Sequence, residues 1–192
     1  MGGQSRRVGP ADSARLRALV EAHTGVVTDY LRRRLQFLPA ADVDDLVSET
    51  FIVLWRRVRD VPTGDAERPW VIGVARNVLH NAHRSAYRRR HHEGRVRPST
   101  ASSSAEDEAL SDVAAREALD GLTAPERELL LLHYWEGIDA AGLAVVLGVT
   151  PNAAGTRLSR AKARFLERLE PPELDGTELG AADMGEGDGL YE

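Results

Sequence analysis

The chain has 192 residues, a formal net charge of −5 and no cysteine. The lack of cysteine excludes disulfides, zinc–thiolate sites and thiol-based redox sensing by this chain. The first thirty residues lack the apolar run of a signal peptide, and no later segment is long and apolar enough to span a membrane. We therefore expect a cytoplasmic protein without membrane insertion.

The net charge conceals an asymmetry along the chain. Residues 170–192 contain eight acidic residues and no Lys or Arg, which leaves 25 basic and 22 acidic residues in the remainder. The body of the protein is thus mildly basic and its last segment is strongly acidic. A basic body is compatible with nucleic-acid binding, and an acidic, unpatterned end is typical of a disordered tail.

The apolar pattern of the first half predicts three helices. The first is predicted over residues 13–38, with Asp12 as its N-cap, and is ended by Pro39. The second begins after the N-cap Asp42 and runs to about residue 59, and the third covers about residues 67–90. Because no segment alternates convincingly with period two, we predict an all-α fold.

A Ser-rich segment, residues 95–108, predicts a flexible linker between two small helical domains. A helix near residues 109–119 follows it, and a capping box from Thr123 to Glu126 opens another helix. In chain order, the predicted organisation is a disordered N-terminus (1–11), a first domain (12–94), the linker (95–108), a second domain (109–169) and an acidic disordered tail (170–192).

The block at residues 137–169 has the pattern of a helix-turn-helix, which places its second helix in a DNA groove. Asp139 is suited to cap the first helix, Gly148 suits a left-handed turn, and Thr150 followed by Pro151 opens the second helix. Four apolar residues at helical spacing form one stripe of that helix: Ala154, Leu158, Ala161 and Phe165. The polar side is placed to reach bases and phosphates, although a helical hairpin that only packs would show the same pattern.

The second predicted helix combines an acidic start with an aromatic flank. Asp44 and Asp45 lie near its N-terminus, where the helix dipole favours carboxylates. Phe51 and Trp55 lie four residues apart beside the apolar stripe, and an exposed aromatic ridge rimmed by acids suits a protein partner. No histidine or loop completes a metal site with these carboxylates, so no metal is expected.

The third predicted helix carries stacking groups, amides and cations between Trp70 and Arg88. That mixture suits unstacked single-stranded bases, which need an aromatic slot and hydrogen bonds to their edges. Core packing explains Trp70 equally well, and a solvated helix surface explains His80 and His83. The two histidines lack a third ligand, so zinc is not expected.

These motifs in this order resemble the bacterial sigma-70 family, and within it the short extracytoplasmic-function (ECF) group. The segment DVDDLVSETF at residues 42–51, together with Trp55, resembles the family's region 2.2. The segment WVIGVARN at residues 70–77 resembles region 2.3 leading into region 2.4. LTAPERELLLL from Leu122, followed by LGVT and RLSRA, resembles region 4. The resemblance covers about residues 12–169.

The resemblance implies an RNA polymerase sigma factor, which binds core polymerase and directs promoter-specific initiation with no catalysis and no cofactor of its own. Region 2.2 would dock on the clamp of the largest subunit through Asp44, Asp45, Leu46, Glu49, Phe51 and Trp55. The region 2.3–2.4 helix would open the minus-10 element and hold a flipped base through Trp70, Arg76, Asn77, Asn81, Arg84 and Arg88. The second helix of region 4 would read the minus-35 element through Thr150, Asn152, Thr156, Arg157 and Arg160. The flap of the second-largest subunit and an anti-sigma factor are further implied partners.

Three positions depart from the family pattern. Ser48 stands where Gln is usual, which implies a mild loss in the polymerase contact. Gly142 replaces the usual Glu in the first helix of the helix-turn-helix. Gly155 stands where a Lys commonly contacts phosphate, and glycine inside a helix costs roughly 1 kcal/mol relative to alanine. The minus-35 contact is therefore expected to be weaker or differently anchored.

Two other functions compete with this interpretation. A stand-alone helix-turn-helix regulator would use only the C-terminal domain and would leave the acidic and aromatic second helix unexplained. A nucleic-acid enzyme such as a recombinase would need a nucleophile or a carboxylate cluster near the basic region, and the sequence offers neither. A separate hypothesis is that the acidic tail folds back on residues 157–168 and lowers the DNA affinity of the free protein.

Overall fold

The computed structural model describes residues 9–35, 42–92 and 110–169. The N-terminal unit consists of α1 (Pro10–Leu35), α2 (Val43–Arg56), the 3-10 turn η1 (Gly64–Ala66) and α3 (Glu67–His92). The C-terminal unit consists of α4 (Leu110–Asp120), α5 (Ala124–Tyr134), α6 (Ala140–Leu147) and α7 (Pro151–Leu169). These ranges contain no strand, in agreement with the predicted all-α fold.

Helix α1 begins at Pro10, three residues before the predicted start. Proline suits a first helical position because its missing N–H would have no partner there. The amide of Ser13 already donates to the carbonyl of Gly9 at 3.1 Å, so Asp12 lies inside the first turn. The prediction that Asp12 precedes the helix as its N-cap is therefore wrong. Its carboxylate instead accepts hydrogen bonds from Gly9 N and from the guanidinium of Arg59.

Helix α2 begins at the predicted cap. The Oδ1 atom of Asp42 accepts a hydrogen bond from the amide of Asp44 at 2.9 Å. The predicted apolar face packs inward, with Leu46, Thr50 and Leu54 buried. The helix ends at Arg56, about three residues earlier than predicted.

Buried side chains from all three long helices hold the N-terminal unit together. They include Leu19, Val27, Leu31, Leu46, Leu54, Ile72, Ala75 and Leu79. Fully burying one Leu or Ile side chain contributes roughly 1.5–3 kcal/mol. Glu67, at the start of α3, adds a polar tie to α1 because its carboxylate bonds with Arg15 Nη2 at 2.5 Å and His23 Nε2 at 2.8 Å.

The predicted helix-turn-helix is formed by α6 and α7. Asp139 Oδ1 accepts a hydrogen bond from the amide three residues on at 2.7 Å, and Thr150 Oγ1 does the same at 3.3 Å. Gly148, between the two helices, has φ 65°, in the left-handed region where glycine avoids the strain of a side chain. The predicted stripe of α7 faces inward, with Ala154, Leu158 and Ala161 buried and Phe165 half-buried.

Helix α5 begins where the sequence predicts a capping box. The carboxylate of Glu126 accepts hydrogen bonds from the backbone amide of Thr123 at 3.2 Å and from its hydroxyl at 2.6 Å. These two bonds fix the first turn of α5, and the guanidinium of Arg127 joins α5 to α4 by donating to the carbonyls of Leu119 and Asp120, each at 2.9 Å. The buried residues of α5, Leu129, Leu130 and Leu132, then pack in the interior of the C-terminal unit.

Helices α3 and α6 cross closely, and the two units share one apolar cluster. Gly73 on α3 faces the backbone of α6, since an added Cβ would lie 3.2 Å from the carbonyl oxygen of Val146. Gly142 on α6 also lies close to α3, since an added Cβ would lie 3.0 Å from Cγ of Pro69, and it would meet Cγ2 of Ile138 in its own unit at 2.7 Å. One glycine from each helix thus permits the close approach of the two units.

The predicted linker (95–108) and acidic tail (170–192) lie outside the described residues, as do residues 1–8 of the predicted N-terminal segment. None of the described helices combines the length and hydropathy needed to cross a membrane.

Candidate nucleic-acid interface

One face of α7 and the Thr150 cap that precedes it present all five residues predicted for the minus-35 element. Thr150, Asn152, Thr156, Arg157 and Arg160 are exposed, whereas the buried stripe of the helix packs against α5 and α6. Arg157 and Arg160 lie three residues apart and therefore share one side of the helix. The face combines hydroxyl, amide and guanidinium groups, which is the chemistry that a helix uses on base edges and phosphates in a DNA groove.

Four of the six residues predicted for the minus-10 element line one groove between α3 and α5. They are Arg76, Asn77, Asn81 and Arg84. The groove has a volume of about 750 Å³, and the C-terminal unit supplies its other wall, including Ala124, Pro125, Arg127 and Glu128. Nη2 of Arg84 donates to Oδ1 of Asn81 at 2.7 Å, which orients both side chains along α3.

The other two predicted minus-10 residues lie apart from this groove. Trp70 is half-buried against the apolar cluster, and the guanidinium carbon of Arg57 lies 5.0 Å from the centre of its ring. Arg88 is exposed farther along α3. Trp70 therefore serves partly as a packing residue, as the alternative interpretation of the sequence expects.

Arginines of α1 meet a buried glutamate of the C-terminal unit. The carboxylate of Glu136, which follows α5, accepts hydrogen bonds from Arg33 Nη2 at 2.8 and 3.0 Å and from Arg34 Nη1 at 3.1 Å. The side chains of Arg34 and Glu136 are 8% and 2% exposed, so water hardly screens this ion pair.

A second glutamate of the C-terminal unit reaches both α1 and α3. Glu128 accepts hydrogen bonds from Arg34 Nε at 3.1 Å and from the hydroxyl of Tyr30 at 3.0 Å. Its Oε1 also lies 3.9 Å from Nε of Arg76. Burial and the neighbouring Glu128 raise the pKa of Tyr30 well above its usual value, so the hydroxyl stays a hydrogen-bond donor.

Two histidines on α3 also line the groove. Burial, together with the charge of Arg76, lowers the pKa of His80, and burial together with His80 lowers the pKa of His83. Both imidazoles are therefore mainly neutral at neutral pH. The positive charge of the groove comes from its arginines.

The exposed side of α2 carries most of the residues predicted to contact a protein partner. Asp44, Asp45, Glu49 and Trp55 are exposed, and Phe51 is half-buried. Leu46, by contrast, is only 5% exposed and lies in the interior. Its side chain packs in the apolar cluster beneath α2, and its contact with a protein partner stays a prediction.

An apolar groove of about 560 Å³ lies beside this face. Its lining includes Leu16 of α1 and Ser48, Phe51, Ile52 and Trp55 of α2. Ile52 is 51% exposed and is not among the partner-binding residues that the sequence predicts. Its spacing of three residues from Trp55 was the available signal, because side chains three apart share a helix face.

Two family models match this chain in the order that the fold suggests. Residues 19–89 match sigma-70 region 2, and residues 112–165 match sigma-70, region 4. Over 154 residues the chain is 31% identical to the ECF RNA polymerase sigma factor SigL of Mycobacterium tuberculosis, which covers 77% of this chain and 85% of that protein. The chain belongs to the ECF RNA polymerase sigma factors.

Further relatives of this sigma factor agree with that placement. It is 25% identical over 185 residues to the RNA polymerase sigma factor NccH of Alcaligenes xylosoxydans xylosoxydans, which covers 88% of this chain and 95% of the relative. Among solved structures it is similar to the sigma factor RpoE of Bartonella quintana, solved in complex with the anti-sigma factor NepR, with a TM-score of 0.57. At 22% identity over 80% of this chain and 95% of that one, this likeness shows the fold.

Membership of the ECF sigma-factor family establishes the type of function. Sigma factors bind core RNA polymerase and promoter DNA, and the family is not one of enzymes. The described residues also contain no group of three or more His, Asp or Glu side chains arranged to hold a metal ion. The match to region 2 accounts for α1–α3, which a stand-alone helix-turn-helix regulator leaves without a role.

Proposed function

We propose that this sigma factor divides its work among three helices: α2 binds core polymerase, α3 holds the opened minus-10 strand and α7 reads the minus-35 duplex. The observation that supports this division is that the two units expose different chemistry. The C-terminal unit exposes a polar and cationic face on α7, and the N-terminal unit exposes an acidic and aromatic face on α2. The polymerase supplies the catalytic metal and the chemistry, and we assign no catalysis or cofactor to this chain.

The polymerase surface is centred on the exposed carboxylates of Asp44, Asp45 and Glu49 and on the half-exposed ring of Trp55. A partner that fits it combines basic side chains with an apolar ridge, because the 560 Å³ groove beside Trp55 can accept apolar side chains. In the polymerase, the clamp of the largest subunit is the proposed partner. The flap of the second-largest subunit is the proposed partner of the C-terminal unit.

The minus-10 surface uses the amides of Asn77 and Asn81 to bind base edges and the guanidiniums of Arg76 and Arg84 to bind phosphates. Trp70 and Arg88 lie at the two ends of this face and extend the path of the strand. Amides and cations interleaved on one helix suit an unpaired strand, whose bases expose their hydrogen-bonding edges.

We further propose a cytoplasmic location, and we propose an anti-sigma factor as a regulatory partner. The support for the second proposal is by analogy: the similar RpoE was solved with the anti-sigma factor NepR. The domain limits that we propose are 12–94 for region 2 and 109–169 for region 4, joined by residues 95–108.

The polymerase surface is tested by the double substitution Asp45→Arg and Trp55→Ala in the full chain. Reversing one charge and removing one aromatic anchor should weaken core-polymerase binding at least about tenfold, since anchors of this kind each contribute ~2 kcal/mol or more. The matched control is Asp29→Arg, which reverses an exposed charge on α1. Affinity is measured by fluorescence polarisation with purified core polymerase. Equal binding by the double variant and the control contradicts the assignment of α2.

A further inference from the structure

The groove between α3 and α5 has the dimensions of a small-ligand site. Its volume of about 750 Å³ lies within the roughly 300–1,000 Å³ that is usual for small-molecule pockets. Three helices form its walls, with Arg34 on α1, Arg76 on α3 and Arg127 on α5 among the lining residues. A ligand in this groove therefore contacts both units at once.

The lining of the groove is cationic. It includes four arginines and one glutamate, namely Arg34, Arg76, Arg84, Arg127 and Glu128. The excess of positive charge remains even when Glu136, which is bonded to Arg34, is counted as well. A cleft lined by one sign of charge raises the local concentration of ligands of the opposite sign, so the groove favours an anion.

Two guanidiniums of the groove lack acceptors. Nε of Arg76 is shielded from solvent and has no hydrogen-bond acceptor among the described residues, and the carboxylate of Glu128 lies 3.9 Å from it. Nη2 of Arg34 is unsatisfied in the same way, although the side chain is only 8% exposed. Buried donors without partners cost free energy. After a small rotation of either guanidinium, an anion in the groove supplies the missing acceptor, and phosphate oxygens suit a guanidinium well.

The rest of the lining suits a planar base. Leu79 on α3 and Leu131 on α5 give apolar surface to opposite walls, and Asn77 and Asn81 add amide groups on the side of α3. Proteins bind an unpaired base by packing apolar side chains on its faces and by hydrogen bonding to its edge. Cations for phosphates, combined with apolar walls and amides for a base, make up the chemistry of a nucleotide site.

We propose that this groove binds a free nucleoside polyphosphate, with its phosphates on the arginines and its base between α3 and α5. The binding itself does not depend on the assignment of α3 to the minus-10 strand. Its consequence rests on that assignment, because Arg76 and Asn77 serve both ligands and the nucleotide and the strand then exclude each other. Free nucleotides thus compete with the strand for the sigma factor.

Ala124, at the start of α5, provides a matched pair of variants. It is exposed, lines the groove and has no role in the proposed DNA or polymerase contacts. Ala124→Glu adds a carboxylate to the wall of the groove, whereas Ala124→Gln adds a side chain of the same size without the charge. A carboxylate in the first turn is favoured by the helix dipole, so α5 stays formed.

A second pair of variants removes one arginine each. Arg76→Gln removes the guanidinium that lacks an acceptor in the groove. Arg17→Gln is its control, because Arg17 is exposed on α1 and does not line the groove. Circular dichroism confirms that the helices remain formed in all four variants.

Affinity is measured by isothermal titration calorimetry of the full chain at low salt without divalent cations, with ATP, adenosine and inorganic triphosphate as the three probes. We expect ATP to bind in the micromolar range. Adenosine and triphosphate should each bind at least about tenfold more weakly, because each uses only part of the site. Ala124→Glu and Arg76→Gln should weaken ATP binding at least about fivefold, and the two control variants should stay within about twofold of the parent.

Three results overturn the proposal: no binding of ATP to the parent up to roughly 1 mM, ATP affinity unchanged in both folded groove variants, or triphosphate binding as tight as that of ATP. A further titration tests the consequence. A random-sequence single strand should displace ATP from the parent, whereas a random-sequence duplex, which binds through the exposed face of α7, should not. If ATP shows the expected variant pattern but the strand does not displace it, the nucleotide site stands and the assignment of α3 to the strand fails.

Discussion

At the scale of single residues, the N-terminal unit depends on a few polar ties between helices that are distant in sequence. Glu67 bonds with Arg15 and His23 on α1, and Asp12 with Arg59 beyond α2. The hydrogen bond from His23, opposed by partial burial and assisted by Arg15, lowers the pKa of Glu67 below the usual value for a glutamate. The carboxylate form is thus the one that the folded chain favours.

The contacts of Glu67 with Arg15 and His23 predict that the stability of the fold depends on pH. The pKa of Glu67 is lower in the folded chain than in the unfolded one. The contribution of its carboxylate to the free energy of unfolding is therefore fully present above about pH 4.3 and is lost as the pH falls through the folded pKa. Glu67→Gln should therefore lower the free energy of unfolding at neutral pH by roughly 1–2 kcal/mol, and this deficit should shrink below about pH 4. Thermal unfolding followed by circular dichroism at several pH values measures it. A deficit that stays constant down to about pH 3 contradicts the role of the carboxylate.

At the scale of elements, the sequence predicts the helices well because their signals are local. Asp42, Asp139 and Thr150 cap helices as expected, and the stripe of α7 faces inward. The start of α1 was misplaced because Asp12 and Pro10 are both acceptable near a helix start, and only the backbone hydrogen bonds distinguish them. Ile52 was missed because an apolar residue next to a core stripe is assigned to the core by default.

Gly155 predicts a gain of function on α7. It is partly exposed and no atom of a neighbouring element lies within 4 Å of an added Cβ, so a side chain there points into open space. Gly155→Lys should tighten binding to duplex DNA and steepen the salt dependence by about one released counterion. Gly155→Ala is the matched control, since both substitutions stabilise the helix by up to ~1 kcal/mol but only lysine adds a cation. Fluorescence anisotropy across a salt series measures both, and equal slopes for Lys and Ala count against a phosphate contact at this position.

At the scale of the whole molecule, the packing of the two units is what sequence reasoning could not supply. The motifs predict two helical domains, and the family comparison supports them, but the contacts of Glu136 with Arg33 and Arg34 join residues about a hundred positions apart. No local pattern marks such a pair. The sequence marks Gly142 as a departure from the family pattern, but only the fold shows the physical reason, since an added Cβ there would meet Ile138 at 2.7 Å and Pro69 at 3.0 Å.

The acidic tail gives a prediction at the same scale. Residues 170–192 follow directly on the basic helix α7 and carry eight acidic residues. If they fold back on residues 157–168, a chain ending at Leu169 should bind duplex DNA about threefold to tenfold more tightly at low salt. The difference should vanish at high salt, where the Debye length falls to about 3 Å. Equal affinities of the two chains at every salt concentration contradict the hypothesis.

The central claim is that this chain gives core polymerase its choice of promoter. The most direct test is transcription of fragmented genomic DNA by core polymerase, with and without the full chain, followed by sequencing of the 5′ ends of the transcripts. The account predicts discrete new 5′ ends that appear only with the chain and share a two-part upstream motif, one part read by α7 and the other held by α3. A chain that binds DNA but adds no discrete 5′ ends to those of core polymerase alone would contradict it.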